Sequence, residues 1–502
     1  MFCGIIEVVR NEVLSMSMTR RGTNKDFGFI IGTMEEFVPE DHLVRKMEEA
    51  LNWDFIYPLV KPLYSLYGRP SIDPVILFKM IFINYSFGIH SMRKTCEEIK
   101  VNLAYRWFLG IRLDEPVPNY STWSQNYIRR YGDSDVFERI FERIIQQGLR
   151  YSFIDTESAF GDSTHQKASA NKRKHERKQV ELTKKKYEDE LLEEINEDRI
   201  SHGKKKIDHL DREEYDFDEE TGEQILVTKK KEIKASLTDP ESGSYHKGEH
   251  EECFAYSHQT FCDSNGFILC HVTVPGNVHD SISFFDAYEI LNERYKVKNI
   301  VLDAGYKTPA IAKEVSDHEQ ILYLPYTRPK GQRRETFSKK EFTYDSENDC
   351  YICPNKETLT YSATDKRGYR IYKSDKDKCQ NCPLLSKCTS SKNHQKSLAV
   401  HIWQEYLDEC EQRRHSEEWK KIYPLRKETI ERDFGDCKEN HCLRYTRIRG
   451  LKKNSHQAAI IFSVHNLKKL SLWRSKNKAY YDHIDEKEAE RKKRSSNTAS
   501  FS

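Results

Sequence analysis

Three acidic residues stand in segments whose residue types and spacing suit metal-dependent phosphoryl chemistry. Asp162 follows a strand-like stretch, residues 151–161, and opens the run DSTHQKA, whereas Asp303 ends the apolar stretch NIVLD. Glu431 lies in a stretch predicted as a helix, KETIERDFGDCKE. Two-metal phosphoryl transfer needs carboxylates that converge from separate elements, because Mg²⁺ takes oxygen ligands. Such residues could form a metal-binding triad, but spacing alone does not establish one, because each acid taken alone is more often a turn, cap or solvated residue.

Other polar residues could support such a site. Lys438 follows Glu431 by seven positions, so both lie on one helix face, where they could hold a metal ion and a phosphate together. Asp155 also has a strand-like context and is an alternative first acid. His279 and Asp280 are candidate positioning residues, and helix capping explains this pair equally well.

A cluster of cysteines indicates a second kind of metal site. Two C-x-x-C pairs and one further cysteine fall within residues 350–388, namely Cys350, Cys353, Cys379, Cys382 and Cys388. Thiolates from two such pairs suit tetrahedral zinc, and in a reducing compartment metal binding is favoured over disulfides. We predict a structural zinc ion, with reduced thiols as the alternative. Five cysteines compete for four positions, so spacing alone does not select the set.

Composition limits the class of protein. The chain has 502 residues, of which 32% are charged, and a formal net charge of only +2, so bulk charge says little about partners. Basic clusters at residues 172–178, 444–453 and 491–494 could contact phosphates or be solvated surface. The longest apolar runs fall short of the roughly 20 residues that span a bilayer, and no secretory signal is recognised. We therefore expect a cytoplasmic protein without a membrane partner.

The elements that must position these residues change in character along the chain. Short helices and tight turns are typical of a helix-turn-helix or of a generic helical bundle, and they give way after residue 150 to alternating strands and helices typical of an α/β core. Charged residues dominate an insertion predicted as a largely helical mobile arm. The predicted regions are 1–35, poorly organised; 36–150, helical; 151–339, the first part of the core with the charged insertion 172–240; 340–395, cysteine-rich; 396–475, the last part of the core with Glu431; and 476–502, a disordered basic tail.

Several motifs in this order resemble the DDE transposases of insertion sequences, most closely the eleven-eighty-two group. The motifs are DSTHQKASANKRK at 162–174, PGNVHDS at 275–281, LDAGYKTPA at 302–310 and YPLRKETIERDFGDCK at 423–438. The last segment is similar to a YREK signature, with Tyr423, Arg426, Glu431 and Lys438 at the matching positions. GRPSIDP at 68–74 and the stretch 444–466 are also similar, so the resemblance covers roughly residues 35–470.

The resemblance implies an α/β fold with an RNase H-like catalytic core, a helical N-terminal DNA-binding domain and a small zinc ribbon-like insertion. Asp162, Asp303 and Glu431 would then bind two Mg²⁺ or Mn²⁺ ions. Lys438 would contact DNA near the cleaved phosphate, with Tyr423 and Arg426 around the terminal nucleotides. The family arrangement also implies that Cys353, Cys379, Cys382 and Cys388 hold zinc and that Cys350 is spare.

The function expected from this resemblance is metal-dependent DNA cleavage and strand transfer at insertion-sequence ends. Its partners would be the terminal inverted repeats and target DNA, bound by a nucleoid-associated homodimer. Candidate phosphate contacts are Arg93, Lys94, Arg129, Arg130, Arg444 and Arg449. Two alternatives stay open: a catalytically silent DNA-binding relic of a transposase, and a metal-dependent nuclease that cuts without joining.

Overall fold

A computed structural model describes residues 31–499, apart from 66, 69, 218–223, 248–250 and 328–335. Residues 1–30, most of the segment predicted as poorly organised, lie outside the described residues. No helix within the described ranges is both long and apolar enough to cross a membrane.

The region before residue 151 is helical, as predicted. Side chains that accept backbone N–H bonds, such as Asp73 and Ser91, begin its helices, and Gly110 ends one with a φ of 68°. Phe78 packs against the ring of Trp123 at a centroid distance of 5.5 Å, in an aromatic core between the helices. The helices are α1 (Met34–Phe37), α2 (Leu43–Ala50), α3 (Ile56–Val60), α4 (Pro74–Ser86), α5 (Met92–Val101), α6 (Leu103–Leu109), α7 (Tyr120–Asn126) and α8 (Val136–Arg150).

A mixed sheet follows, so the mixed α/β class is confirmed. The strands lie in the order β10-β9-β1-β7-β6-β5-β2, and β8 pairs with β7. β1, β9 and β10 are parallel to one another, whereas β1, β7 and β8 form an antiparallel meander. The bounds are β1 (Ser158–Lys167), β2 (His175–Glu181), β5 (Lys230–Ser236), β6 (Gly243–Lys247), β7 (Glu251–Cys262), β8 (Ile268–Pro275), β9 (Asn299–Val301) and β10 (Ile321–Tyr323), with α10 (Asp280–Arg294) and α11 (Pro309–Asp317) between them.

The first strand of the core begins later than the sequence predicts. Residues 151–157 form no strand, because Tyr151 and Phe153 instead pack against Tyr481 near the end of the chain. Pairing of β1 with β7 runs from Phe160 to Lys167. Asp162 therefore lies within a strand rather than just after one.

The charged insertion at 172–240 differs from the predicted mobile helical arm. It contains one helix, α9 (Glu188–Ser201), but β2 and β5 pair along seven residues and extend the central sheet, and β3 (Glu213–Phe217) and β4 (Gln224–Thr228) form a hairpin. Most side chains of β2 are exposed, so its charged residues give no strand alternation. From α9, the buried Asp198 accepts a 2.6 Å bond from Arg370 of the cysteine-rich region.

The cysteine-rich region has its own small core. Its five antiparallel strands lie in sequence order, and Leu359 and Tyr372 are buried between them. The elements are β11 (Thr343–Asp345), β12 (Cys350–Ile352), β13 (Thr358–Thr364), β14 (Tyr369–Ser374), α12 (Lys376–Gln380), α13 (Leu385–Cys388) and β15 (Ser397–His401).

Helices close the chain, and the last departs from the predicted disordered tail. The elements are α14 (Gln404–Arg413), α15 (Glu417–Ile422), α16 (Ile430–Asn440), α17 (Leu451–Ser475) and α18 (Lys478–Ala499). α17 is buried along most of its length and contacts α2, α8 and β8. Arg474 donates to Asp482 at 2.5 Å and to Asp485 at 2.9 Å, which fixes the start of α18. The side chains of the basic cluster 491–494 lie outside the described residues.

Candidate active site

Asp162 lies on β1, and Asp303 lies just after β9, the neighbouring parallel strand. Phe160 of β1 pairs with Val301 of β9, so the two acids each stand two residues beyond a paired position. Gly161 permits this close approach, because a Cβ there would come within 2.5 Å of Leu302 Cδ2. The strand pairing thus brings the first two predicted acids to the same edge of the core.

The buried Arg426 connects these acids to the third. Its Nη2 donates to Asp162 Oδ2 at 2.7 Å, and its Nη1 lies 3.8 Å from Glu431 Oε1 in the first turn of α16. Burial alone would lower the pKa of Arg426, but Asp162, Tyr423 and Asp303 raise it above its ordinary value. The three acids predicted from the sequence therefore surround one guanidinium.

Arg426 only partly offsets the effect of burial on the carboxylate of Asp162. Burial raises its pKa to about 6 although Arg426 lowers it, and the neighbouring Asp303 adds to the rise. A second acid, Asp280, stands close by, and its Oδ1 accepts a 2.6 Å bond from Ser163 Oγ. A divalent cation is the kind of ligand that would favour the ionised form of this group.

The other two candidates, Asp155 and His279, make local contacts in a turn and at a helix cap. Asp155 precedes β1, and its carboxylate accepts bonds from Glu157 N at 3.0 Å and Ser264 Oγ at 2.8 Å. These are turn contacts at the other end of the strand from Lys167. His279 is the N-cap of α10, where its Nδ1 accepts from Ser281 N at 3.2 Å.

Tyr423 lies beside Arg426 and the acids, and Lys438 lies on the helix that carries Glu431. Tyr423 stacks on Trp419 with a ring-centroid distance of 4.6 Å and an interplanar angle of 6°. Sequence reasoning missed Trp419, although its spacing of four residues from Tyr423 is a signal for contact on one helical face. Lys438 lies two turns after Glu431 on α16. The pKa of His258 falls to about 3, chiefly through burial, with a contribution from the charge of Lys438.

The residues predicted to contact DNA phosphates belong to two parts of the chain. Arg444 and Arg449 are exposed in the loop before α17, and this loop pairs with the end of β1, since Lys167 N donates to Arg444 O at 3.2 Å. Arg93, Lys94, Arg129 and Arg130 instead belong to the helical region, at α5 and after α7. The structure does not bring this second set to the acids.

Four of the five clustered cysteines meet at one small cavity. The cavity is lined by Cys353, Cys379, Cys382 and Cys388, and the burial-raised pKa of Cys388 is raised further by the other three thiols. Cys350 is not among them, because it is buried in β12 close to Asp345 and Asp349.

A different group has the tightest arrangement of metal-ligand types. Among the described residues, the ligand atoms of Asp436, His441 and His465 all lie within 4.8 Å of one another. Both histidines already hydrogen-bond to backbone carbonyls, His441 to Tyr85 O at 2.8 Å and His465 to Gly266 O at 3.3 Å. Both histidines also lie 3.2 Å from Asp436 Oδ2, so the cluster is a hydrogen-bond network that ties α16 to α17 and to the segments around Tyr85 and Gly266, and we assign no metal to it.

Loss of the guanidinium should shift the titration of Asp162. In Arg426→Gln we expect the acid limb of Mn²⁺ binding, followed against pH, to move upward by about one unit or more, since a neighbouring Arg⁺ lowers an aspartate pKa by roughly 1–3 units. The depressing charge is lost, so protons compete with the metal over a wider acidic range. The control is Arg414→Gln, which removes a half-buried arginine from its ion pair with Glu411 and should leave the limb in place. An unmoved limb in Arg426→Gln would contradict the coupling.

Two family models match the chain. Transposase domain (DUF772) matches residues 32–129, and Transposase DDE domain matches residues 352–471, which include Tyr423, Arg426, Glu431 and Lys438. No curated protein matches the sequence. Among solved structures, the cryo-EM structure of the piggyBac transposase synaptic complex with hairpin DNA aligns over 87% of this chain and 76% of that one, with 8% identity and a TM-score of 0.32, a likeness too weak to argue from. The two matched domains support DDE transposase function in DNA transposition.

Proposed function

We propose that Asp162, Asp303 and Glu431 are the catalytic triad of an insertion-sequence transposase of the eleven-eighty-two group, with the YREK signature. The observation that carries this proposal is the convergence of all three carboxylates around the buried Arg426, from two strands and a helix distant in sequence. The reaction would be cleavage of a DNA phosphodiester at the element end, followed by strand transfer to target DNA.

The order of strands supports an RNase H-like core for this site. β8, β7 and β1 form an antiparallel meander, and β9 and β10 continue the sheet in parallel beyond β1. The helix that carries Glu431 arrives after the cysteine-rich insertion. On this proposal residues 151–339 and 396–475 together make the core, and 36–150 is the DNA-binding domain.

The carboxylates fit divalent metal ions by their chemistry. Oxygen ligands from separate elements suit Mg²⁺ or Mn²⁺. The pKa of Asp162 stays raised by burial even beside Arg426, so a bound cation would stabilise the ionised carboxylate further. Two bound ions would activate the attacking hydroxyl and stabilise the leaving oxygen. Asp162, Asp303 and Glu431 would hold these ions.

The other residues position the reactants. Arg426 donates to Asp162 and faces Glu431, so it fixes the separation between the strand acid and the helix acid. Lys438, on the same helix as Glu431, would neutralise a phosphate beside the cleaved bond. Tyr423, stacked on Trp419, would pack against the terminal nucleotides. Protein groups thus orient the DNA and balance its charge rather than form a covalent intermediate.

Partners follow from the chemistry of transposition. Arg444 and Arg449, on the loop that pairs with the end of β1, would bind phosphates of the terminal inverted repeat. Strand transfer joins both ends of one element to a target, so we propose a homodimer on DNA.

The test is a cleavage and joining assay. Labelled element-end duplex and supercoiled target DNA are incubated with the full chain in Mg²⁺, in Mn²⁺ and in EDTA. We expect metal-dependent nicks at the element end and products joined to the target. Cleavage without joining would support the nuclease alternative, and binding without cleavage in either metal would support the DNA-binding relic. A duplex with a scrambled end is the control for specificity.

We also propose that Cys353, Cys379, Cys382 and Cys388 bind a structural zinc ion in the cysteine-rich region. Their common cavity, and the influence of the other three thiols on the pKa of Cys388, support this set over any that includes Cys350. Tetrahedral thiolate coordination would add to the stability that the small apolar core of this region provides.

Zinc binding can be measured directly. We expect about one zinc per chain by elemental analysis, reduced at least about fivefold in Cys382→Ser, because a three-thiolate site loses affinity. Cys350→Ser is the matched control and should keep full zinc content. Equal zinc content in both variants, or none in the wild type, would contradict this ligand set.

A further inference from the structure

A cleft opens between the helical region and the start of α17. It has a volume of about 260 Å³, and its walls include the aromatic and aliphatic side chains of Trp123, Tyr127, Ile128, Phe137 and Ile460. A smaller cavity of about 170 Å³ adjoins it and shares Trp123 and Ile448. Together we call them the aromatic cleft. Ile128, at the mouth, is 70% exposed.

Exposed cations stand beside these apolar walls. Lys453 lines the larger cavity and Arg447 the smaller one, and both are exposed. Arg447 belongs to the loop at 444–450 proposed above to bind phosphates, here called the basic loop, and Lys453 lies in the first turn of α17 directly after it. A cleft with aromatic walls and a cationic rim matches the two parts of a nucleotide, whose base stacks and whose phosphate is negative.

The cleft also lies on a continuation of the catalytic strand. The basic loop pairs with Lys167, the last residue of β1, through Thr446 N and Lys167 O at 2.8 Å. Lys167 is five residues beyond Asp162, which is about 16 Å at the rise of a β-strand. DNA held along β1 from the acids to this loop would extend over about five base pairs.

Neutral hydrogen-bonding groups lie among the apolar walls. Burial lowers the pKa of His456 to about 4, so the imidazole is neutral near pH 7, and its Nδ1 lies 2.9 Å from Tyr127 Oη. Gln457 also lines the cleft. A few polar groups within aromatic walls are typical of pockets that receive a base taken out of the stack.

We propose that the aromatic cleft binds one unpaired nucleobase of the DNA bound by the basic loop. The base stacks against the aromatic wall, and Arg447 and Lys453 neutralise the adjoining phosphates. Intact duplex presents no apolar base face to such walls, so the cleft favours DNA whose terminal pairs are open. This inference rests on the proposed DNA binding by the loop and adds a site for an unpaired base.

The test compares forked and fully paired DNA of the same sequence by fluorescence anisotropy in EDTA, so that catalysis plays no part. Ser124, an exposed residue of α7 that lines the cleft, is replaced in Ser124→Trp, which fills the cleft without changing charge. Gln125→Trp adds the same side chain at the next exposed position, outside the lining. A second variant, Tyr445→Ala, removes a 40% exposed ring from the smaller cavity.

We expect wild type and Gln125→Trp to prefer the fork by about tenfold, the effect of one stacked base. Ser124→Trp and Tyr445→Ala should lose most of that preference while binding duplex within about twofold of wild type. Equal affinity of wild type for fork and duplex, or an unchanged preference in both cleft variants, would overturn the inference and leave the transposase proposal intact. Failure of wild type to bind either DNA would overturn both.

Discussion

Replacing Asp162 or Asp303 by asparagine should lower the rate of element-end cleavage by at least about 10³-fold, which corresponds to about 4 kcal/mol in the activation barrier. The amide keeps the shape of the carboxylate but lacks the charge that divalent ions require. DNA affinity should stay within about twofold, because phosphate binding is proposed for the basic loop. Single-turnover cleavage of a labelled end duplex and anisotropy measure the two quantities separately.

Asp155 provides a matched control for the two aspartate substitutions. Asp155 precedes the strand that carries Asp162, and its carboxylate makes only turn contacts with Glu157 and Ser264 among the hydrogen bonds described. Asp155→Asn should therefore cleave at close to the wild-type rate. If Asp155→Asn abolished cleavage and Asp162→Asn did not, the first catalytic acid would be Asp155.

Glu431 has a matched control residue as well, Glu428. Glu431→Gln should abolish cleavage to the same degree, whereas Glu428→Gln, three residues earlier and exposed, should leave it within about twofold. A normal cleavage rate in Glu431→Gln would exclude Glu431 as a metal ligand. The proposed site would then consist of Asp162 and Asp303.

How the acids meet could be predicted only in part. The sequence motifs single out Asp162, Asp303 and Glu431, and parallel pairing of β1 with β9 brings the first two together. The bond between Arg426 and Asp162 joins residues 264 positions apart, and no local pattern carries that information. The resemblance implied that Arg426 packs around terminal nucleotides. In the structure it is 6% exposed and paired with the acids, so any contact with DNA would be made alongside that pairing.

Charged segments were the main source of error in the fold. β2 (HERKQVE) shows no alternation because nearly all of its side chains are exposed, and its pairing with β5 depends on backbone bonds. The tail past residue 476 is polar in composition, yet α18 is held by Arg474 and by the contact of Tyr481 with Phe153 at 5.0 Å. Composition describes the exposed side of such elements, whereas a few long-range contacts decide whether they are ordered.

Replacing His465 by glutamine should lower the free energy of unfolding by about 3 kcal/mol near pH 6, the lower part of the range for breaking a buried ion pair. His465, on α17, lies 3.2 Å from Asp433 Oδ1 and 3.2 Å from Asp436 Oδ2, both on α16. Glutamine keeps hydrogen-bonding capacity but not the charge. Lys469, 3.2 Å from Asp433 Oδ1, would compensate in part, which limits the loss.

The dependence on pH distinguishes a charge effect from a packing effect. Burial lowers the pKa of His465, but Cys437 and Asp433 outweigh it and raise the pKa well above its ordinary value. A raised histidine pKa contributes stability that is complete below the unfolded value of about 6.5 and is lost as pH rises through the folded value. Hydrogen bonds from His441 and His465 hold the pKa of Asp436 well below its usual range. Its contribution is therefore present above about pH 4 and is lost at lower pH.

Denaturant unfolding from pH 4 to pH 10 should therefore show the largest difference between wild type and His465→Gln at about pH 4–6.5, narrowing on the alkaline side. His318→Gln, which replaces a partly exposed histidine, should unfold like wild type at every pH. A difference that stayed constant with pH would mean that packing, not charge, accounts for the loss. Asp433 follows Glu431 by two residues on α16, so a loosened network would also displace the helix that carries Glu431. Cleavage by His465→Gln should then fall at pH 6 even where the variant is fully folded, which links the buried histidine to the geometry of the acids.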